Sequence, residues 1–151
     1  MTTLYFDASA LGGAYFPDEA NHPELRALVF GGEHDVVTSV LTRVELSSAI
    51  RSASEAGRVP DPDLLWRTID ADLGPTGPIG VIALRAEAIL LAATTVVRRL
   101  RVRTLDAIHL VVALEDATRV AAPEALEFAT LDQRQGAAAE ALGLVVHRFA
   151  A

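Results

Sequence analysis

Short apolar runs and longer stretches of helical periodicity take turns along the whole chain, and this alternation constrains the fold more than any single motif does. Leu4–Phe6, Asp35–Thr38, Ile79–Ile82, Leu126–Ala129 and Leu144–His147 read as strands. Helices are expected over 8–15, 23–30, 40–56, 83–100, 104–118 and 133–142, and another opens at Pro60-Asp61-Pro62 and closes at Gly74-Pro75. Strands separated by helices build an α/β domain with a mainly parallel central sheet flanked by helices. The punctuation agrees: Pro17 closes the first helix, Pro23 sits near the start of the second, Gly57 stops the third, and Gly143 follows the last helix. With 151 residues and no repeat, linker or low-complexity segment, residues 1–151 read as one domain.

Composition removes whole classes of function. A chain 51% hydrophobic and 22% charged is not a disordered segment. The absence of cysteine excludes disulfide scaffolds, zinc ribbons, iron–sulfur clusters and thiol nucleophiles, and it suits a reducing compartment, so a cytoplasmic location is expected. Twenty acidic residues against 13 basic ones, all arginine, give −7, which argues against a protein that coats nucleic acid through many phosphate contacts. No leader or membrane span is expected: an acid, Asp7, interrupts the N-terminal apolar run, and Arg85 and Glu87 break the most apolar stretch, Val81 to Val97. The mean hydropathy of +0.31 is high for a small monomer, which predicts a homodimer or a tight partner.

Four acids stand at the junctions of the pattern. Asp7 follows the first strand and Asp132 the strand Leu126–Ala129, and in open parallel sheets the carboxyl ends of the strands line the ligand crevice. Glu45 lies at the edge of the apolar stripe Leu46, Ala49, Ile50, Ala53, while Asp106 opens the most apolar helix. Carboxylates in such places are costly unless paired or bound to a cation. Oxygen ligands without cysteine select a hard ion, Mg²⁺ or Mn²⁺, whose chemistry at a phosphodiester is hydrolysis.

Phe6-Asp7-Ala8-Ser9-Ala10-Leu11, Arg43-Val44-Glu45-Leu46, Arg103-Thr104-Leu105-Asp106-Ala107-Ile108-His109-Leu110 and Ala129-Thr130-Leu131-Asp132 together resemble the successive motifs of PIN domains. The resemblance is closest to VapC-type toxins of toxin–antitoxin modules and spans nearly the whole chain. It implies a PIN-like endoribonuclease that hydrolyses RNA with Mg²⁺ or Mn²⁺ and leaves a 5′-phosphate. It makes Asp7, Glu45, Asp106 and Asp132 the catalytic, metal-holding acids and Ser9 and Thr130 polar supports of the pocket. It also implies a VapB-like antitoxin, received on the helices spanning Val40 to Leu73, with operator DNA met only through that antitoxin.

Each residue also has a structural reading. Asp7 suits an N-cap, and Asp132 with Gln135 has capping-box spacing. Asp106 at the second helical position, after a Thr104 cap, would be favoured by the helix dipole alone. Arg103 either holds the Asp106 carboxylate or meets substrate phosphate, and Arg98, Arg99 and Arg101 extend the only basic run. His109, one turn from Asp106, reads as a hydrogen-bonded core histidine and stays outside the catalytic set. Trp66, with Leu65, Ile69 and Leu73, reads as core. Two other functions remain: a non-catalytic PIN-like binding or scaffold protein, and an aspartyl phosphotransferase. Ser9 in place of a second aspartate, and the lack of lysine, argue against the phosphotransferase.

Overall fold

A computed structural model describes residues 1–149. The elements are β1 (Thr3–Phe6), α1 (Ala8–Gly13), α2 (His22–Phe30), β2 (Asp35–Ser39), α3 (Leu41–Glu55), α4 (Pro62–Asp72), β3 (Ile79–Ile82), α5 (Ala86–Arg99), α6 (Thr104–Val112), a π-helical turn (Ala113–Ala117), α7 (Thr118–Ala121), β4 (Leu126–Ala129), α8 (Gln133–Ala141) and β5 (Val145–Val146). The strands form one parallel sheet in the order β3-β2-β1-β4-β5. All the predicted strands exist, and the sheet is parallel throughout.

β1 is buried along its whole length because both faces of a parallel sheet are covered by crossover helices. Its two-residue alternation divides the interior. Leu4 and Phe6 join Leu11, Leu25, Leu46, Ile50 and Ile69 on the face covered by α1 to α4. Tyr5 points the other way, to Phe128, Ile89, Leu110 and Ala139 on the face covered by α5, α6 and α8. The chain moves from β1 to β2 and β3 on one side and returns to β4 and β5 on the other. The strand order therefore reverses beside β1, and the crevice at that reversal is where open α/β sheets bind ligands.

Several element boundaries differ from the sequence expectation. The first helix ends at Gly13 and not at residue 15, because α1 and α2 approach closely there: a Cβ on Gly13 would stand 2.4 Å from Leu25 Cδ1. The helix expected over 83–100 starts at Ala86, and the strand expected over 144–147 shortens to Val145–Val146. The single helix expected over 104–118 is three segments, α6, the π-helical turn and α7. The turn carries Asp116, whose carboxylate meets Arg85 at 2.6 and 2.9 Å. A 3.6-residue periodicity cannot reveal one widened turn inside an apolar helix. On α3 the buried stripe is Thr42, Leu46, Ile50 and Ala53, and Ala49 is exposed. Thr42 enters the interior because its hydroxyl has a partner there, Thr38 Oγ1 at 2.7 Å.

Candidate active site

Asp7 ends β1 and begins α1. Its backbone N–H still donates to the Ala129 carbonyl across the sheet, while Oδ1 caps α1 by accepting from the Ala10 N–H at 3.0 Å. The functional and capping readings therefore coincide. Ser9 Oγ donates to the same oxygen at 2.7 Å, and Thr130 Oγ1, just beyond β4, donates to Oδ2 at 2.5 Å. Ser9 also accepts from the Leu131 N–H, and Thr130 from the Asp132 N–H, so two hydroxyls tie the ends of β1 and β4 around one carboxylate. Asp7 is only 3% exposed. Burial pushes its carboxyl above the ordinary aspartate value, and the bonds from Thr130, Ala10 and Ser9 pull against that rise without cancelling it.

Glu45 stands in the second turn of α3, half-buried at the predicted stripe edge. Its Oε1 lies 2.5 Å from His109 Nε2, and His109 Nδ1 lies 2.7 Å from the Tyr5 hydroxyl. Arg43, a conceivable partner of Glu45, pairs with Asp70 at 3.6 Å instead.

Arg103 is the N-cap of α6, so Thr104 is the first helical residue and Asp106 the third; the sequence expectation of a Thr104 cap is corrected by one position. Arg103 Nε stands 3.3 Å from Asp106 Oδ2, and its guanidinium reaches Asp132 Oδ2 at 3.7 Å, bridging the two acids. Asp132 caps α8 by accepting from the Arg134 and Gln135 N–H groups at 2.8 and 3.3 Å. Only half of the expected capping box forms. The Gln135 side chain does not turn back to its own helix; its amide donates to the Asp106 carbonyl at 2.8 Å and locks α8 to α6.

Two open clefts reach these residues. One of about 640 Å³ is lined by Ser9, Glu45, Arg58 and Asp132. The other, of about 750 Å³, is lined by Arg101, Arg103, Asp106, Asp132, Arg134 and Gln135. Asp132 belongs to both walls. Arg98 and Arg99 are exposed in the last turn of α5, where basic side chains suit the helix dipole.

The four acids thus surround the strand ends, but each carboxylate is engaged by the protein, and among the described residues no three His, Asp or Glu side chains stand together as a metal cluster. The donors nonetheless fit Mg²⁺ or Mn²⁺ in kind. They are hard oxygens, and Asp7, the deepest, is bonded directly to hydroxyls and an amide, with its charge opposed by burial.

Three residues of this region have partners that no local pattern reports. His109 lies in the core, as its apolar helix predicts, but its contact with Glu45 joins α6 to α3 across 64 positions of sequence. Tyr5, in β1, meets the same ring, and Gln135, at capping-box spacing from Asp132, reaches α6 instead.

No family model matches the sequence, and no curated protein does either. Among solved structures, the chain is similar to VapC20 of Mycobacterium tuberculosis, a toxin that cleaves the sarcin–ricin loop, with a TM-score of 0.67 and 15% identity over 97% of this chain and 99% of that one. The chain has the fold of a VapC toxin. A second likeness, to PAE2754 from Pyrobaculum aerophilum, has a TM-score of 0.59 and 18% identity over 93% of this chain and 86% of that one. In that fold the chain's five-stranded parallel sheet carries Asp7 beyond the end of β1 and Thr130 and Asp132 beyond the end of β4.

Proposed function

We propose that this chain is a Mg²⁺- or Mn²⁺-dependent endoribonuclease and the toxin of a VapBC-type module. The observation that carries the reading is Asp7: a buried carboxylate at the end of the central strand, at the switch point of a VapC fold, with Ser9 and Thr130 built around it. A carboxylate whose ionisation burial opposes, set at such a crevice, is the kind of group that functional sites collect.

Asp7, Glu45, Asp106 and Asp132 would hold the ion. A divalent cation bound there supplies Lewis acidity at the phosphoryl oxygen and makes water a nucleophile at neutral pH. Ser9, on α1, and Thr130, just beyond β4, hold the Asp7 rotamer between them. Arg101, Arg103 and Arg134, on the wall of the second cleft, meet backbone phosphates and set the strand across the acids. In the reaction the oxygen of water bonds to phosphorus, the bond from phosphorus to the 3′ oxygen breaks, and a proton goes to that oxygen, leaving a 5′-phosphate and a 3′-hydroxyl.

The apolar surplus fits a homodimer and a small antitoxin. Val44 on α3 and Leu64 on α4 are 70% and 53% exposed on the two helices assigned to the antitoxin. No helix among the described residues is long and apolar enough to cross a membrane, and a cytoplasmic site of action belongs to the same proposal.

The test is incubation of the purified chain with total RNA and Mg²⁺, beside Asp7→Asn and beside EDTA. Cleavage by the wild-type chain alone is expected; equal cleavage, or none, by both proteins defeats the reading. A non-catalytic PIN-like binding protein is the second reading, favoured by the fact that every one of the four carboxylates already has a protein partner. Crystals soaked in Mn²⁺ separate the two: density bridging Asp7 and Asp106 supports the enzyme, and none at saturating metal supports the binding protein.

A further inference from the structure

His109 is only 1% exposed, yet each of its ring nitrogens meets a polar group from a different element. Tyr5, in the central strand, stands 2.7 Å from Nδ1, and Glu45, on α3, stands 2.5 Å from Nε2. The ring therefore joins the middle of the sheet to an acid on the wall of the first cleft.

The polarity of this chain follows from its ends. A carboxylate only accepts, so Nε2 carries the hydrogen and donates to Glu45. In that tautomer Nδ1 carries only a lone pair, so the Tyr5 hydroxyl donates to it. Tyr5 to His109 to Glu45 is a run of donors in one direction, and it fixes one tautomer of the ring. A run that served only to satisfy a buried imidazole could end on any interior carbonyl. This one ends on a half-buried carboxylate whose residue lines the cleft.

We propose that His109 is a positioning residue for Glu45: through Nε2–H it fixes the rotamer in which Glu45 can serve as a cation ligand, with Tyr5 fixing the tautomer behind it. The proposal rests on reading Glu45 as part of a divalent-cation site. Partners in the outer shell of a metal site orient its ligands, and their loss typically costs roughly 10- to 100-fold in metal affinity.

Two conservative variants divide the ring between its neighbours. In His109→Gln the amide nitrogen reaches the place of Nε2 and keeps a donor for Glu45. In His109→Asn the shorter amide stays near the place of Nδ1 and keeps a contact for Tyr5 only. Calorimetric titration of Mn²⁺ into the full chain is expected to show roughly 10- to 100-fold weaker binding for the asparagine variant and most of the affinity retained by glutamine. If both variants bind like the wild type, or if both lose affinity together with thermal stability, His109 is a core residue and nothing more. If the wild-type chain itself binds no Mn²⁺, the cation site fails and this role falls with it, an outcome distinct from the first two. Two-bond ¹H–¹⁵N correlation of His109 in the metal-free chain gives a readout that does not depend on binding: an Nε2–H tautomer is expected, and an Nδ1–H or doubly protonated ring overturns the relay.

Discussion

Asp7 carries a conflict that a substitution can expose. Its carboxyl is raised by burial, so at neutral pH the folded chain pays to keep it ionised when no cation is present. Asparagine is nearly isosteric and caps helices as well as aspartate does. Asp7→Asn is therefore expected to abolish RNA cleavage and yet to unfold at the same or higher temperature than the wild type in EDTA, by up to about 1 kcal/mol, the scale seen when a functional compromise is removed. Thermal melts with and without EDTA check this; a loss of more than about 1 kcal/mol would mean that the ionised carboxylate stabilises the metal-free fold through its bonds from Ser9 and Thr130.

The two tyrosines of the chain make a second residue-scale prediction. Burial raises Tyr5 well above its ordinary value, reinforced by the charges of Asp7 and Glu45, and burial with the bond to Asp72 raises Tyr15. For a group whose folded pKa is raised, the stability it contributes is intact below the unfolded value near 10 and is lost as pH climbs above it. Phenolate absorbance near 295 nm should thus appear only above about pH 10, and together with the loss of far-ultraviolet circular dichroism, because ionisation requires unfolding. Phenolate formed while the circular dichroism stays native would show that these rings are open to solvent.

At the scale of elements, the site depends on two joints. The first is the α1–α2 contact at Gly13, which sets where α1 ends behind Asp7. A Cβ there meets Leu25 Cδ1 at 2.4 Å and Leu131 Cδ1 at 3.1 Å, and Leu25 is fully buried. Gly13→Ala is expected to cost about 1–3 kcal/mol through overpacking, read as a lower denaturation midpoint with an unchanged m-value. The second joint is Gln135, which ties α8 to the Asp106 carbonyl and so sets the distance between two of the acids. Both joints lie between elements that local periodicity describes one at a time, which explains why the elements were legible in the sequence while their exact ends were not. Asp106 moved by one helical position for the same reason: a Thr104 cap and an Arg103 cap fit one pattern, and the backbone of the preceding turn decides between them.

For the whole molecule, net charge and local charge make different demands. A chain at −7 repels a polyanion overall, but Arg101, Arg103 and Arg134 gather on one cleft wall. RNA held by that wall should release few counterions. With Arg103 held by Asp106 and Asp132, binding of single-stranded RNA to Asp7→Asn in EDTA is expected to weaken with salt at a log–log slope of roughly −1.4, the value for two phosphate contacts on a single strand. A slope several times steeper would place RNA on a surface other than this cleft.

The sequence by itself determined the α/β class, the strand positions, the four candidate acids and their likeness to PIN motifs, because period-two and 3.6-residue patterns and strand-end acids are local features of a chain. Only the tertiary structure decided what those acids do to one another: that Thr130 and Ser9 enclose Asp7, that Arg103 bridges Asp106 and Asp132, and that Tyr5 reaches Glu45 through His109. These contacts span from a few residues to more than a hundred, and only the packing of helices on both faces of a parallel sheet brings such distant groups to hydrogen-bond distance.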